Sequence, residues 1–197
     1  MNTTTFIETM RVTNGAIDHL PDHIRRMELT CREVFGSCPD LSPLVNAVIP
    51  VDAKKCRVVY GRQIEVVEFG DYVPRKIASL KLVTAPSAFD YHLKYADRGC
   101  LTELFAMRGD CDDILIVREG MITDTSIANI VFTDGTRYVT PDTCLLPGTT
   151  RRRLLMENKI DIAALSPASL AMFTHAIPIN AMLPLGSIPP IPIENIR

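Results

Sequence analysis

The chain has 197 residues, a formal net charge of −2 and a hydrophobic content of 47%. That length suits one large domain or two small ones, and the composition is typical of a globular protein with a substantial core. Basic residues are too dispersed to predict a nucleic-acid partner, and no apolar run approaches the roughly 20 residues that span a bilayer. The six cysteines have no metal-binding spacing, and the N-terminal residues lack a signal-peptide pattern. We therefore expect a cytoplasmic protein without a metal site, a nucleic-acid partner or a membrane anchor.

The first part of the chain predicts a strand, two helices and more strands. Residues 4–12 alternate β-branched and apolar positions as a strand does, and Asn14-Gly15 predicts a turn after it. From about Asp22 the apolar residues recur at helical spacing (Ile24, Met27, Cys31, Val34 and Phe35), and Gly36 is predicted to cap the C-terminal end of this helix. Ser42-Pro43 favours the start of a short second helix. Further strands are predicted over three ranges: 57–60, 64–69 and 77–84.

A connector at residues 86–91 separates the two predicted lobes, 1–88 and 89–197. The second lobe begins with a predicted helix over 96–107. Its strands are predicted over four ranges: 114–117, 121–123, 129–132 and 138–140. A further helix follows Gly148, and the tail from Pro178 is too rich in proline for a regular helix. Grouped strands with interspersed helices indicate an α+β fold rather than an alternating parallel sheet.

Six short motifs carry the chemistry, and their order along the chain is more specific than any one of them. Two lie in the first lobe and four in the second: FIETMRV (6–12), HIRRM (23–27), HLKYADR (92–98), GMITD leading to NIVF (120–132), YVTP (138–141) and LLPGTTR (145–151). Together they resemble the class IV aminotransferases. That family's pattern has a lysine, then G-x-x-x-E-x-x-x-x-N-(I/L)-F, then T-P and L-P-G-(I/x)-T-R.

The resemblance implies a two-lobe fold of the D-amino-acid aminotransferase type, with a small N-terminal α/β lobe and a C-terminal pseudo-barrel lobe. It also implies a homodimer that binds pyridoxal 5′-phosphate (PLP) and an amino-acid-like small molecule. Lys94 matches the lysine that holds the cofactor as an imine and moves protons at the substrate. Asp124 matches the family glutamate at the pyridine nitrogen, with a side chain one methylene shorter. The alternatives are an exposed lysine at a helix start and an acidic turn residue.

The resemblance places the phosphate on Arg26, Thr149 and Thr150, with Asn180 near the end of the chain as a further candidate. An arginine fork, free amides at a helix start and hydroxyl groups all suit a phosphate. The alternatives are that neighbouring Arg25 takes the role of Arg26, and that either threonine serves only as a helix cap.

Three functions remain open at this point. The FIETMRV and NAM segments favour an aminodeoxychorismate lyase, which forms p-aminobenzoate for folate synthesis and pyruvate. An amino-acid aminotransferase would use the same cofactor site and needs a clamp for the substrate carboxylate, for which Arg57, Arg62 and Arg98 are candidates. The third is a family member that binds a ligand without catalysis.

Overall fold

The computed structural model describes residues 4–197 and divides into two compact units. The first holds residues 4–74 together with Leu93–Asp97, and the second holds Arg75–His92 and Arg98–Arg197. Each unit combines a sheet with helices, so the α+β class is confirmed. Residues 75–88, which the sequence assigned to the N-terminal lobe, lie in the second unit because residues 80–84 pair there with the strand at 113–118.

The first unit is an antiparallel sheet with two helices. Its elements are β1 Phe6–Thr13, β2 Ala16–Ile17, α1 Leu20–Phe35, α2 Ser42–Val45, β3 Lys55–Tyr60 and β4 Ile64–Gly70. The strands lie in the order β2-β1-β3-β4, and the two strands predicted over 57–60 and 64–69 form the antiparallel β3–β4 hairpin. Helix α1 begins at Leu20, two residues before the expected start, and ends at Gly36, whose φ of 73° suits glycine.

Strand alternation explains the core of the first unit. Even-numbered side chains of β1 and β3 point to one face, where they are buried against Met27 and Cys31 of α1. Val34, which the helical pattern placed on this face, is 40% exposed instead. Glu8 is the charged member of the buried row of β1 and is 0% exposed.

The second unit contains the remaining strands and helices. Its elements are β5 Leu80–Thr84, α3 Gly99–Ala106, β6 Asp113–Arg118, β7 Met121–Thr125, β8 Asn129–Thr133, β9 Tyr138–Pro141, α4 Thr149–Met156, β10 Asp161–Ala163, β11 His175–Ile179 and β12 Ile191–Pro192, with 3-10 turns at Pro167–Met172 and Ile193–Asn195. Six strands follow the order β10-β9-β8-β7-β6-β5, and β11 pairs with β8 and β12.

Strand β8 is buried along its whole length, because both of its faces are covered. Ile130 and Phe132 lie in a core cluster with residues of β5, β6 and β7. Val131 points to the other side and packs with Leu154 of α4 and Ile177 of β11. The residues of β8 that share a face with Val131 therefore lie on the side of the sheet that α4 covers.

The predicted strands of the second unit are confirmed, with three differences. Strand β5 begins at Leu80 rather than Ile77, and α3 spans Gly99–Ala106 rather than 96–107. Three strands, β10, β11 and β12, were not predicted. Strand β11 contains Pro178, and proline disfavours a strand because it has no backbone N–H to donate. In the register of β11 and β8, Pro178 nevertheless lies opposite Ile130.

Candidate active site

Asp124 and Asn129 form a cross-strand pair beneath the start of α4. The antiparallel register sets Asp124 of β7 directly opposite Asn129 of β8. Asn129 shares the face of Val131, which packs against α4, and a directly opposed residue projects to the same face. The side-chain amide nitrogen of Asn129 donates a 2.8 Å hydrogen bond to Oδ1 of Asp124.

The loop between β9 and α4 closes over this pair. The backbone N–H of Leu146 donates a 2.9 Å hydrogen bond to Oδ2 of Asp124, and the carbonyl of Leu146 accepts one from Asn129 at 2.9 Å. Gly148 passes so close that a Cβ on it would collide with the side-chain oxygen of Asn129. Glycine at this position therefore permits the close approach of loop and strand.

Gly148→Ala is expected to destabilise the protein by about 1–3 kcal/mol, because the added methyl group must displace Asn129 or the loop. Urea unfolding measures the change. Gly70→Ala is the matched control, since a Cβ on Gly70 meets nothing within 4 Å. An equal effect of both substitutions would contradict the tight approach at Gly148.

Burial makes Asp124 an unusual carboxyl group. The side chain is 5% exposed, and desolvation raises its pKa from 3.8 to about 6. The hydrogen bonds from Leu146 and Asn129 and the positive charge of Arg151 lower the pKa and offset part of this rise. The carboxyl group is thus largely ionised at neutral pH, although it is withdrawn from water.

Thr149 and Thr150 are buried in the first turn of α4. The residue at the helix cap is Gly148, and no side chain caps the helix end, so neither threonine serves as the cap. Arg151 anchors this turn: its guanidinium donates to the Pro141 carbonyl at 2.7 Å and to the Thr140 hydroxyl at 3.3 Å. The helix start therefore presents backbone N–H groups and the positive end of the helix dipole.

Asn180 organises the turn after β11. Its side-chain oxygen accepts hydrogen bonds from the backbone N–H groups of Met182 at 2.8 Å and Leu183 at 2.9 Å. Its amide nitrogen donates to the carbonyl of Ile127, in the turn that connects β7 to β8. Asn180 is thereby linked to the loop that follows Asp124.

Lys94 lies in the first unit, in a segment without helical structure. Its carbonyl accepts a 2.9 Å hydrogen bond from the backbone N–H of Ile7, and the next residue, Tyr95, packs its ring 5.4 Å from that of Phe6. The predicted helix start at residue 96, which placed Lys94 at the helix entry, is wrong, because α3 begins at Gly99. Pairing with β1 fixes the backbone of Lys94 instead.

Arg26 belongs to a buried ionic cluster of the first unit. Its guanidinium donates to both carboxylate oxygens of Glu8, at 2.7 and 2.6 Å, and His23 Nδ1 donates to Glu8 at 2.7 Å. Burial raises the pKa of Glu8, but the positive charge of Arg26 and the hydrogen bonds from His23 and Arg26 outweigh this effect and hold the pKa at about 2. Arg25 is exposed, so of the two adjacent arginines it is Arg26 that turns inward.

The three candidate clamp arginines have separate surroundings. Arg57 forms an exposed ion pair with Glu68 at 3.2 Å, and Arg62 lies over the ring of Phe35 at 5.0 Å. Arg98 donates to the carbonyl of Ser126, in the turn between β7 and β8. Arg98 is therefore the candidate that lies beside the loop following Asp124.

The predicted site residues are divided between the two units. Asp124, Thr149, Thr150 and Asn180 belong to the second unit, whereas Arg26 and Lys94 belong to the first. Sequence reasoning assigned no role to Asn129 or Glu8. The available signals were the position of Asn129 in the motif run and the presence of a charge in the alternating buried row of β1.

Within residues 4–197, the His, Cys, Asp and Glu side chains form no group of three or more that could hold a metal ion. Even the longest helix of this part, α1, lacks the combination of length and hydropathy that a membrane-spanning helix needs.

Residues 5–191 match the family model described as amino-transferase class IV. An uncharacterized protein of Haemophilus influenzae is 35% identical over 181 residues, which are 89% of this chain and 96% of that protein.

Solved structures that share the fold include those of proteins from three different organisms. A proposed 4-amino-4-deoxychorismate lyase of Haemophilus somnus is 28% identical, with a TM-score of 0.84 over 93% of this chain and 98% of that one. The 4-amino-4-deoxychorismate lyase of Pseudomonas aeruginosa is 17% identical, with a TM-score of 0.70 over 95% of this chain and 82% of that one. The PLP-bound form of a hypothetical aminotransferase of Mycobacterium tuberculosis is 18% identical, with a TM-score of 0.76 over 98% of this chain and 80% of that one.

Proposed function

Because this chain belongs to the class IV aminotransferases and is therefore a PLP-dependent enzyme, we propose that it is an aminodeoxychorismate lyase, which forms p-aminobenzoate and pyruvate. The observation that carries the proposal is the likeness to the H. somnus protein named as such a lyase. The two chains match over nearly their whole lengths at 28% identity. Family membership favours this enzyme over a ligand-binding relative without catalysis.

The residues of the second unit fit the polar groups of the cofactor. A buried, largely ionised carboxyl group at Asp124 suits a protonated ring nitrogen, because its two hydrogen-bond donors are neutral and leave its negative charge in place. The backbone N–H groups of α4 and the hydroxyls of Thr149 and Thr150 suit a phosphate, since the helix dipole favours an anion there.

When bound, PLP supplies a ring that withdraws electrons from the reacting carbon of the substrate. We assign the covalent attachment point to Nζ of Lys94, which would then donate and remove the protons of the elimination. Asp124 would hold the proton on the ring nitrogen. Arg26, Thr149, Thr150 and Asn180 would bind or enclose the phosphate, with Glu8 orienting the guanidinium of Arg26.

A second candidate function is transamination between an amino acid and a 2-oxo acid. It is favoured by the description of the matching family, which is that of amino-transferases. A transaminase needs a cation or a backbone nest for the substrate carboxylate, and Arg98 is the candidate with a contact beside the β7–β8 turn.

The lyase assay separates the two functions. We expect the purified enzyme, supplied with PLP and 4-amino-4-deoxychorismate, to release p-aminobenzoate, which is followed by its fluorescence. Pairs of amino acids and 2-oxo acids are then tested for exchange. Exchange in the absence of p-aminobenzoate release would show that the lyase proposal is wrong.

We also propose a homodimer in the cytoplasm. The family resemblance supports the dimer, and the free thiols of all six cysteines suit a reducing compartment. Light scattering of the PLP-bound protein tests the assembly, since a dimer has twice the mass of one chain.

A further inference from the structure

The side chain of Asn129 forms two hydrogen bonds beside Asp124, and backbone pairing of the strands requires neither of them. It is 6% exposed, and its amide nitrogen bonds both to Oδ1 of Asp124 and to the carbonyl of Leu146. Both of these partners are acceptors, so the amide must turn its NH₂ group toward them. The orientation of the side chain is therefore fixed by its surroundings.

Asn129 thus ties together two parts of the second unit. Its amide nitrogen holds the carboxylate of Asp124 in β7 and the carbonyl of Leu146 in the loop that precedes α4. Leu146 donates in turn to Oδ2 of Asp124. Each carboxylate oxygen therefore accepts a hydrogen bond, one from Asn129 and one from Leu146, whose own carbonyl is bound by Asn129.

We propose that Asn129 is a positioning residue for the cofactor-binding acid: its side-chain amide fixes the Asp124 carboxylate and keeps it in the ionised form. The inference rests on the proposed role of Asp124 at the ring nitrogen. A neutral donor suits this task, because it stabilises the carboxylate without cancelling the charge that a protonated ring nitrogen attracts. The shorter side chain of aspartate is compatible with the task, since Asn129 reaches across the strand pair to meet it.

Two other titratable groups interact with Asp124, and of these it is Arg151 whose charge affects the pKa of Asp124. Arg151 of α4 lowers the pKa of Asp124, while its guanidinium is engaged by Thr140 and Pro141. Burial raises the pKa of the Cys144 thiol, in the loop before α4, so that group remains neutral at physiological pH. The hydrogen bonds that hold Arg151 go to Thr140 and Pro141 and therefore do not depend on Asn129.

The first measurement uses the cofactor-free protein. The side-chain carboxyl of Asp124 is followed by ¹³C NMR against pH and is assigned with Asp124→Asn. We expect Asn129→Ala to raise the pKa of Asp124 by about one, the effect of losing one hydrogen bond to a charged group. Asn195→Ala is the matched control, since it removes a side-chain amide bond to the Ala78 carbonyl elsewhere in the unit. An unchanged pKa of Asp124 in Asn129→Ala overturns the inference.

The second measurement is the affinity for PLP at pH 6.5 and pH 8.5. We expect Asn129→Ala to bind PLP about ten- to a hundredfold more weakly at pH 6.5, and part of this loss to recover at pH 8.5, where the carboxyl ionises without help. A loss of equal size at both pH values would indicate a purely structural role and overturn the inference. Asn129→Ser carries the same test if Asn129→Ala does not fold, because its hydroxyl is too short to reach both acceptors.

The two proposals fail in different ways. If Asp124→Asn binds PLP as tightly as the unchanged protein, the role of Asp124 at the cofactor is wrong, whatever the NMR titration shows. If Asp124→Asn loses PLP but Asn129→Ala leaves the carboxyl pKa unchanged, the proposed function stands and the inference about Asn129 is wrong.

Discussion

Lys94→Ala is expected to lose covalent attachment of PLP and to slow the reaction by at least about 10²–10⁴-fold, the usual contribution of a positioned acid–base group. The substitution removes the amine that would form the bond to the cofactor aldehyde and move protons at the substrate. Borohydride reduction followed by mass spectrometry of the digested protein measures the attachment. The unchanged protein is expected to carry the reduced cofactor on the peptide that contains Lys94.

Two controls separate the amine from its charge and from general effects. Lys94→Arg keeps a positive side chain but cannot replace the lysine chemically, so it should behave as Lys94→Ala does. Lys81→Ala removes an exposed lysine of β5 and should leave attachment and turnover unchanged. Cofactor bound covalently to another lysine in the unchanged protein would refute the assignment of Lys94.

Glu8→Gln is expected to destabilise the protein by about 3–5 kcal/mol at neutral pH, because it leaves Arg26 and His23 beside a neutral group in a buried site. The pKa of Glu8 is about 2 in the folded chain against an ordinary value of 4.5. A depressed carboxyl pKa contributes stability that is complete above the ordinary value and is lost as the pH falls towards the folded value. The shift corresponds to about 3 kcal/mol.

Urea unfolding at pH 7 and at pH 3 checks this prediction. The difference between the unchanged protein and Glu8→Gln should shrink at pH 3, where part of the Glu8 contribution is already lost. Glu68→Gln is the matched control, because Glu68 pairs with Arg57 at 3.2 Å but its side chain is 58% exposed. An exposed pair contributes at most about 1 kcal/mol. Equal effects of the two substitutions would contradict a special role for the buried cluster.

Much of the fold follows from local sequence patterns. Alternating residues predicted β1, short strand-like runs predicted β3, β4 and the strands from β6 to β9, and helical periodicity with glycine at its end predicted α1. Strands β10, β11 and β12 could not be predicted, because they are short or contain proline and become strands only by pairing with β8, β9 and each other. Non-local pairing of this kind has no local signal.

The site shows the same division. The order of motifs singled out Arg26, Lys94 and Asp124, and the family membership and the PLP dependence that it implied are confirmed. The roles of these residues stay predictions. Glu8 and Arg26 are 18 positions apart in the sequence, and Leu146 and Asp124 are 22 apart. Hydrogen bonds between residues so far apart could not be predicted from local sequence patterns.

The sequence by itself determined the family of this protein, its cofactor and the residue types that chemistry with PLP requires, because these depend on motifs read along the chain. Only the tertiary structure decided the state of each group. Burial raises the pKa of Asp124, whereas ionic partners lower that of the equally buried Glu8. A carboxyl pKa depends on the donors and charges packed around it, and for both residues several of those donors and charges come from distant parts of the chain.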